Sequence, residues 1–315
     1  MQTFDAAATR AAIPIGELLD AVEEAYRDVA AGRDRSPLRT HVPLPGGDLL
    51  LMPGVRDGGS GSTVKLVTVM PGNADRGLPT IHAVVTWLDA GTGEPRAAFD
   101  GATITAMRTG AASGVATRLL ARTDARVLAL LGAGAQAAWQ VRAVLAARPI
   151  EEVRVYARDE SRRRAFADAL AADLGPSVTV RAMPDVEATV RGSDVICAAT
   201  TARQPVLEAA WVGAGCHVNG IGAYRPDMVE LPPELFGRAS LVAVDAHAAA
   251  MAEAGDVLAA IEAGAIGADN LVEIGRVDRG WASARDPEAI TVFKSVGLAI
   301  QDLAATEIAV RRLLG

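Results

Sequence analysis

Three cations stand where cations are costly. Lys65 lies in the run Thr63-Val-Lys-Leu-Val-Thr-Val, Arg108 in Ile104-Thr-Ala-Met-Arg-Thr-Gly-Ala-Ala-Ser, and Arg39 in Pro37-Leu-Arg-Thr-His-Val-Pro. A Lys among small and branched apolar residues is expensive unless it meets an anion. Arg offers a carboxylate a two-pronged fork. Gathered in one place, the three would hold a small carboxylate. Taken singly, each has a plainer reading: an exposed edge-strand Lys, or an Arg paired with a nearby acid such as Asp100.

The second chemical feature is a turn. Val127-Leu-Ala-Leu-Leu runs into Gly132-Ala-Gly134-Ala-Gln136-Ala137, a Gly-x-Gly-x-x-Ala pattern between a buried strand and a helix. Gly132 permits the tight turn, Gly134 lets a pyrophosphate approach the backbone, and Ala137 lets helix and strand pack closely. The helix N-terminus offers free N–H groups to the phosphate. This predicts dinucleotide binding, the alternative being a Gly-rich turn that serves packing alone. At the end of the next strand, Val153-Arg-Val-Tyr, the usual ribose-binding acid is replaced by Ala157, with Arg158 after it and Arg162 to Arg164 one helical turn on. Arginine there accommodates a 2′-phosphate, so NADP(H) is favoured over NAD(H). Asp159 stays open as a displaced ribose acid or as the cap of the following helix.

These features need elements to position them. Residues 15–31 carry Leu18, Leu19, Val22, Tyr26 and Val29 at helical spacing, and 37–100 reads as a mostly antiparallel sheet broken by turns such as Pro45-Gly46-Gly47. A helix follows over 101–121. From Val127 apolar strands at 127–131, 153–156, 177–181, 194–198, 217–220 and 241–244 alternate with helical segments, the sign of a parallel sheet. A last helix spans 296–313. The expected fold class is α/β: a Rossmann-type doubly wound parallel sheet over 120–289, plus a smaller α+β domain over 1–119, completed by a C-terminal helix over 290–315.

Of 315 residues, 50% are hydrophobic and 22% charged, which excludes wholesale disorder. The net charge of −7, without a basic block, argues against a nucleic-acid partner. Cys197 and Cys216 form no CxxC pair and sit near no His cluster, so neither a disulfide scaffold nor a metal site is expected. A reducing, cytoplasmic location is the simplest reading. No signal-peptide pattern and no uninterrupted apolar span point to a membrane. His41, His82, His217 and His247 read as structural histidines, with His82 facing either the pocket or the opposite side of its strand.

In order along nearly the whole chain, Arg39-Thr-His-Val-Pro-Leu, Leu51-Met-Pro-Gly, Lys65-x(6)-Gly-Asn, Gly77-Leu-Pro-Thr, Leu88-Asp-Ala-x-Thr-Gly-Glu-Pro, the Arg108 segment, Gly132-Ala-Gly-Ala-Gln and Thr291-Val-Phe-Lys-Ser-Val-Gly resemble the ornithine cyclodeaminase/mu-crystallin family, which includes an alanine dehydrogenase and ketimine reductases. The resemblance implies a homodimer in which 1–119 is the substrate and dimerisation domain. It implies that Arg39, Lys65 and Arg108 hold a substrate carboxylate, that Thr80 lines the pocket, and that Asp227, with Lys65, serves catalysis. Thr109, Ala135 and Gln136 match cofactor contacts. Thr200, Asn219 and Gly220 lie at or just past strand carboxyl ends, where open α/β sheets place ligands. One departure matters: where the cyclodeaminase has an acid that receives ornithine's distal amine, this chain has Leu50. Asp48 would be displaced by about 7 Å along the strand.

The implied reaction is hydride transfer at the C=N bond of a small or cyclic α-imino acid, or its reverse. Ornithine cyclodeamination and non-enzymatic NADP binding are the alternatives.

Overall fold

The computed structural model describes residues 1–315, the side chain of Ala74 apart. The first unit comprises Met1–Arg108 and Leu298–Gly315. Its leading segments are β1 (Gln2–Phe4), α1 (Ala6–Ala11), α2 (Ile15–Ala30), β2 (Thr40–Leu44), β3 (Gly47–Gly54), β4 (Gly61–Val69), β5 (Ile81–Asp89) and β6 (Pro95–Asp100), followed by helix α3 (Gly101–Leu120), which leads into the second unit. The six strands form one sheet in the order β1-β6-β5-β4-β3-β2, antiparallel except for β1 beside β6.

Alternation along these strands makes two unlike faces. Leu50, Met52, Lys65, Val67, Val85 and Trp87 point to the buried face. Leu49, Leu51, Val64 and Val84 are half-buried on the other face, where Leu66 and Val42 are exposed. Register places Met52, Lys65, Val85 and Phe99 on a single rung across four strands. The buried face is covered by the chain's last helix. Gly54 makes the approach feasible: a Cβ there would meet the Ala299 carbonyl oxygen at 2.7 Å.

The second unit, Thr109–Gly297, is the Rossmann-type domain. It runs β7 (Val127–Leu131), α4 (Ala137–Ala147), β8 (Glu152–Tyr156), α5 (Glu160–Leu174), β9 (Thr179–Ala182), α6 (Val186–Val190), β10 (Val195–Ala198), β11 (His217–Gly220), α7 (Pro233–Arg238), β12 (Ala239–Val244), α8 (His247–Glu253), α9 (Gly255–Glu262), β13 (Leu271–Glu273), α10 (Trp281–Ala284) and β14 (Ile290–Lys294). All eight strands are parallel, in the order β13-β12-β14-β11-β10-β7-β8-β9. The chain leaves β7 toward β8 and β9 on one side and returns to β10 on the other, so the sheet reverses direction beside the glycine turn.

One expectation changes, and one strand is added that the sequence pattern did not mark. Residues 290–315 are not one helix: β14, with its β-branched and aromatic Ile290-Thr-Val-Phe, is a fully buried interior strand, and only then does helix α11 (Ala299–Leu313) begin, two residues past Gly297. β13, three residues long, is an edge strand too short to leave a periodic signal. Among the described residues no helix is long and apolar enough to cross a membrane. Cys197 and Cys216 are free and buried.

Candidate active site

In the first unit the buried face of the sheet carries a fixed charge cluster. Lys65, 1% exposed, reaches Asp302 of α11, with Nζ 2.6 Å from Oδ2. Arg108 donates through Nε to Asp302 Oδ1 at 3.1 Å and through Nη1 to Gln301 Oε1 at 3.0 Å. Gln301 Oε1 also accepts from the Leu298 amide at the helix start, and its Nε2 donates to the Tyr26 hydroxyl of α2. Asp302 and Gln301 are wholly buried. Two cations therefore share one carboxylate, and this pair of cations keeps one positive charge that Asp302 does not balance.

The Lys65 ammonium has three N–H bonds and one acceptor, Asp302. Burial lowers its pKa to about 7, against the pull of Asp302; the Arg108 and Arg39 charges push the same way as burial. Arg39, half-buried just before β2, thus stands near enough for its charge to act on Lys65. Thr80 is half-buried just before β5, and its carbonyl accepts from the Met70 amide. Leu50 is 3% exposed on the Lys65 face, opposite Val67. His82, opposite Thr68, is on the other face and exposed.

In the second unit the glycine turn joins the end of β7 to α4. Gly132 has φ +113°, and a Cβ there would meet the Ala199 carbonyl oxygen at 2.5 Å, so only glycine fits. A Cβ on Gly134 would meet nothing within 4 Å, which leaves open space against its backbone. The amides of Gly134, Ala135 and Gln136 donate to no protein acceptor among the described residues, and Gln136 Oε1 is buried without a partner. A dinucleotide pyrophosphate fits the three free amides. Thr200, just past β10, borders the same turn, its methyl group 3.5 Å from the Cβ position of Gly132. Thr109, 7% exposed, lies on α3.

At the end of β8, Ala157 stands where an acid would bind a ribose. Asp159 caps α5, its Oδ1 accepting from the Arg162 amide at 2.7 Å. Arg158 is exposed, and Arg162 Nε donates to the Ala133 carbonyl of the glycine turn at 3.1 Å.

Asn219 requires correction. Its side chain is not presented to a ligand. It is fully buried and donates to Thr117 Oγ1 at 3.2 Å, while its Oδ1 meets His217 Nε2 at 3.2 Å and the His217 Nδ1 meets Thr291 Oγ1 at 2.9 Å. Strand alternation turns residues 217 and 219 to the same side, into the core. Gly220 is buried too, with Leu231 against its Cβ position. Asp227 is exposed, 42% at the side chain, with Arg225 at 3.1 Å and Arg203 at 3.4 Å.

The sequence reading missed the buried acids. Glu230 accepts from the amides of Thr200, Gly222 and Ala223 at 2.5, 2.6 and 3.1 Å and so ties together the loops that follow β10 and β11. Burial raises its pKa, Lys294 opposes this, and Asp256 adds to it. Asp256 pairs with Lys294 at 2.6 Å. Asp302 sits in Ala299-Ile-Gln-Asp-Leu-Ala-Ala, an acid within an apolar helical run. The cost argument applied to Lys65 would have singled it out.

Comparison with known proteins agrees with this geometry. A family model described as "Ornithine cyclodeaminase/mu-crystallin family" matches residues 4–314. A Bacillus cereus Δ1-pyrroline-2-carboxylate reductase is 36% identical over 100% of this chain and 97% of its own. The structure of Thermococcus litoralis Δ1-pyrroline-2-carboxylate reductase in complex with NADH and L-proline superposes with a TM-score of 0.93 at 32% identity, covering 100% of this chain and 98% of that one. An archaeal alanine dehydrogenase dimer with bound NAD gives 0.89 at 33%, covering 100% and 96%.

Proposed function

The chain belongs to the ornithine cyclodeaminase/mu-crystallin family, and from that premise we propose that it is an NAD(P)-dependent reductase of a small cyclic α-imino acid of the Δ1-pyrroline-2-carboxylate type. The observation that carries the reading is the charge cluster of the first unit: two buried cations on one buried carboxylate, with a positive charge in excess. One substrate carboxylate answers it. Arg108 Nη2 and the remaining Lys65 N–H bonds are the donors left for that carboxylate, with Arg39 adding charge.

A bound nicotinamide dinucleotide supplies the hydride. The chain's own residues orient and charge the substrate. Arg108 and Lys65 fix the carboxylate, so the imine carbon is held in one pose. Lys65, with a pKa of about 7, is suited to give up a proton near neutral pH and serves the imine nitrogen. Asp227 is the second group proposed for proton transfer.

Leu50 favours reduction over ornithine cyclodeamination. A buried apolar side chain on the Lys65 face has nothing to offer a distal ammonium. NADP(H) is the proposed cofactor: Ala157 carries no acid, Asp159 is engaged as a helix cap, and Arg158 and Arg162 flank the ribose end of the turn. A homodimer formed through the open sheet face is proposed from its exposed Val42 and Leu66 and half-buried Leu49 and Leu51. In light scattering, Leu66→Glu is expected to give a monomer.

The test is a matrix. NADPH and NADH oxidation is followed with Δ1-pyrroline-2-carboxylate, Δ1-piperideine-2-carboxylate and pyruvate plus amines, beside an ammonia assay with ornithine. Net NADPH oxidation with a cyclic imino acid is expected, and Arg158→Ala should raise KM for NADPH and leave KM for NADH. Ammonia release from ornithine without net cofactor change would replace the reductase by a lyase.

A further inference from the structure

The chain contains two lysines, Lys65 and Lys294, against twenty-nine arginines. Both are wholly interior and each meets a buried aspartate at 2.6 Å. Of the Lys and Arg side chains, every one at the surface is Arg, and an ammonium is kept only where it is enclosed. An ammonium differs from a guanidinium in one respect that matters inside a protein: it can lose its proton near neutral pH.

Resting on the reductase reading above, we infer that Asp302 is a positioning residue for the reaction: from the first turn of α11 its carboxylate holds the Lys65 ammonium in place as a cation and fixes the Nε edge of Arg108, so that the remaining donors of both face the substrate. The geometry is specific. One oxygen of Asp302 takes Lys65 and the other takes Arg108, at 2.6 and 3.1 Å. Gln301, the preceding residue, takes a second nitrogen of the same guanidinium and is itself held by Tyr26 and the Leu298 amide. Arg108 is therefore gripped at Nε and at Nη1, and Nη2 is left.

The charged groups that act on Lys65 come from each neighbouring element. Asp302 comes from α11, Arg108 from α3 and Arg39 from the segment entering β2. The adjoining strands β3 and β5 place only Met52 and Val85 on its rung. Glu307, further along α11, is taken by Arg56. Among these charged groups, Asp302 is the anion that opposes burial and two like charges. Without it the ammonium loses its proton at lower pH, and a neutral amine neither holds a carboxylate nor donates a proton to an imine.

Two lysines allow a direct readout. Protein labelled with 13C at lysine Cε gives two signals, and Lys65→Arg identifies which belongs to Lys65. In the unaltered protein the Lys65 signal titrates near neutral pH. In Asp302→Asn its midpoint is expected at least one pH unit lower, a tenfold change in proton affinity, and the alkaline limb of kcat/KM for the imino acid moves by the same amount. Asp302→Glu, which keeps the charge, should restore most of the midpoint. In Lys65→Arg the limb should vanish because the guanidinium stays charged. A Lys65 midpoint unmoved in Asp302→Asn overturns the inference. So does an unchanged limb in Lys65→Arg, a variant that needs no change at Asp302 and therefore serves if Asp302→Asn does not fold. An unaltered protein that turns over no imino acid overturns the reductase reading instead, because the lysine signal reports the pairing without substrate.

Discussion

Lys65→Met removes a charge that burial already disfavours, and its effect on stability can be worked out. Burial takes the Lys65 pKa from 10.5 to about 7, and at about 1.4 kcal/mol per pH unit the protonated form costs the fold on the order of 5 kcal/mol. Below pH 7 Lys65 is protonated in both the folded and the unfolded chain, and the whole cost is felt. Between pH 7 and 10.5 the unfolded chain still holds a proton that the folded one has released, so stability rises with pH in that window. Methionine fills a similar volume without charge, and Asp302 keeps Arg108. Losing the shorter of its two partners returns part of the gain, so the variant is expected to be about 1–4 kcal/mol more stable at pH 6. That advantage should shrink by roughly 2–3 kcal/mol by pH 9. Urea melts of both proteins at pH 6, 7, 8 and 9, at one protein concentration, measure the difference. A difference that stays constant with pH would refute the reasoning, because only titration of Lys65 makes it vary. The same variant should lose on the order of a hundredfold in kcat/KM for the imino acid, the ~3 kcal/mol of a charge-assisted hydrogen bond.

Other expectations are more local. Gly134→Val should leave Tm unchanged, since a Cβ there meets no atom, yet weaken dinucleotide binding at least tenfold, about 1.4 kcal/mol; calorimetric titration checks it, and a lower Tm with unchanged affinity would make the turn a packing device. Burial lowers the His217 pKa to about 3, so this residue's contribution is complete above pH 6.5 and is lost as pH falls toward 3, up to about 5 kcal/mol. His217→Gln should flatten acid unfolding across that window, read by circular dichroism. Glu230→Gln loosens the loops of Thr200 and Gly222 and should raise KM for the dinucleotide severalfold while sparing KM for the imino acid, as steady-state kinetics with each substrate varied will show.

What was legible in the sequence was whatever repeats locally. Leu18, Leu19, Val22 and Tyr26 mark α2 by their spacing, and all are buried. The run before Gly132 and the strand after it mark the start of the parallel sheet. Lys65 stood out because an ammonium in an apolar strand demands an explanation. Its partner did not stand out, because Asp302 lies 237 residues away and a pairing across that distance leaves no spacing to read. Asn219 was placed by its position at a strand end, a rule that locates the backbone and does not say which way a side chain turns. His217 and Thr117 supply the polar partners that draw it inward. β14 was hidden because its neighbours β11 and β12 come well before it in the chain.

The first unit is made from the two ends of the chain, Met1–Arg108 and Leu298–Gly315. During synthesis its sheet leaves the ribosome before α11, with the Leu50, Met52 and Val67 face uncovered until that helix emerges. The Rossmann-type unit, continuous from Thr109 to Gly297, can close in the meantime, since domains form as their sequence emerges. A nascent chain halted before Asp302 carries the cations without their carboxylate. The order of translation therefore completes this charge cluster only after the Rossmann-type unit has emerged.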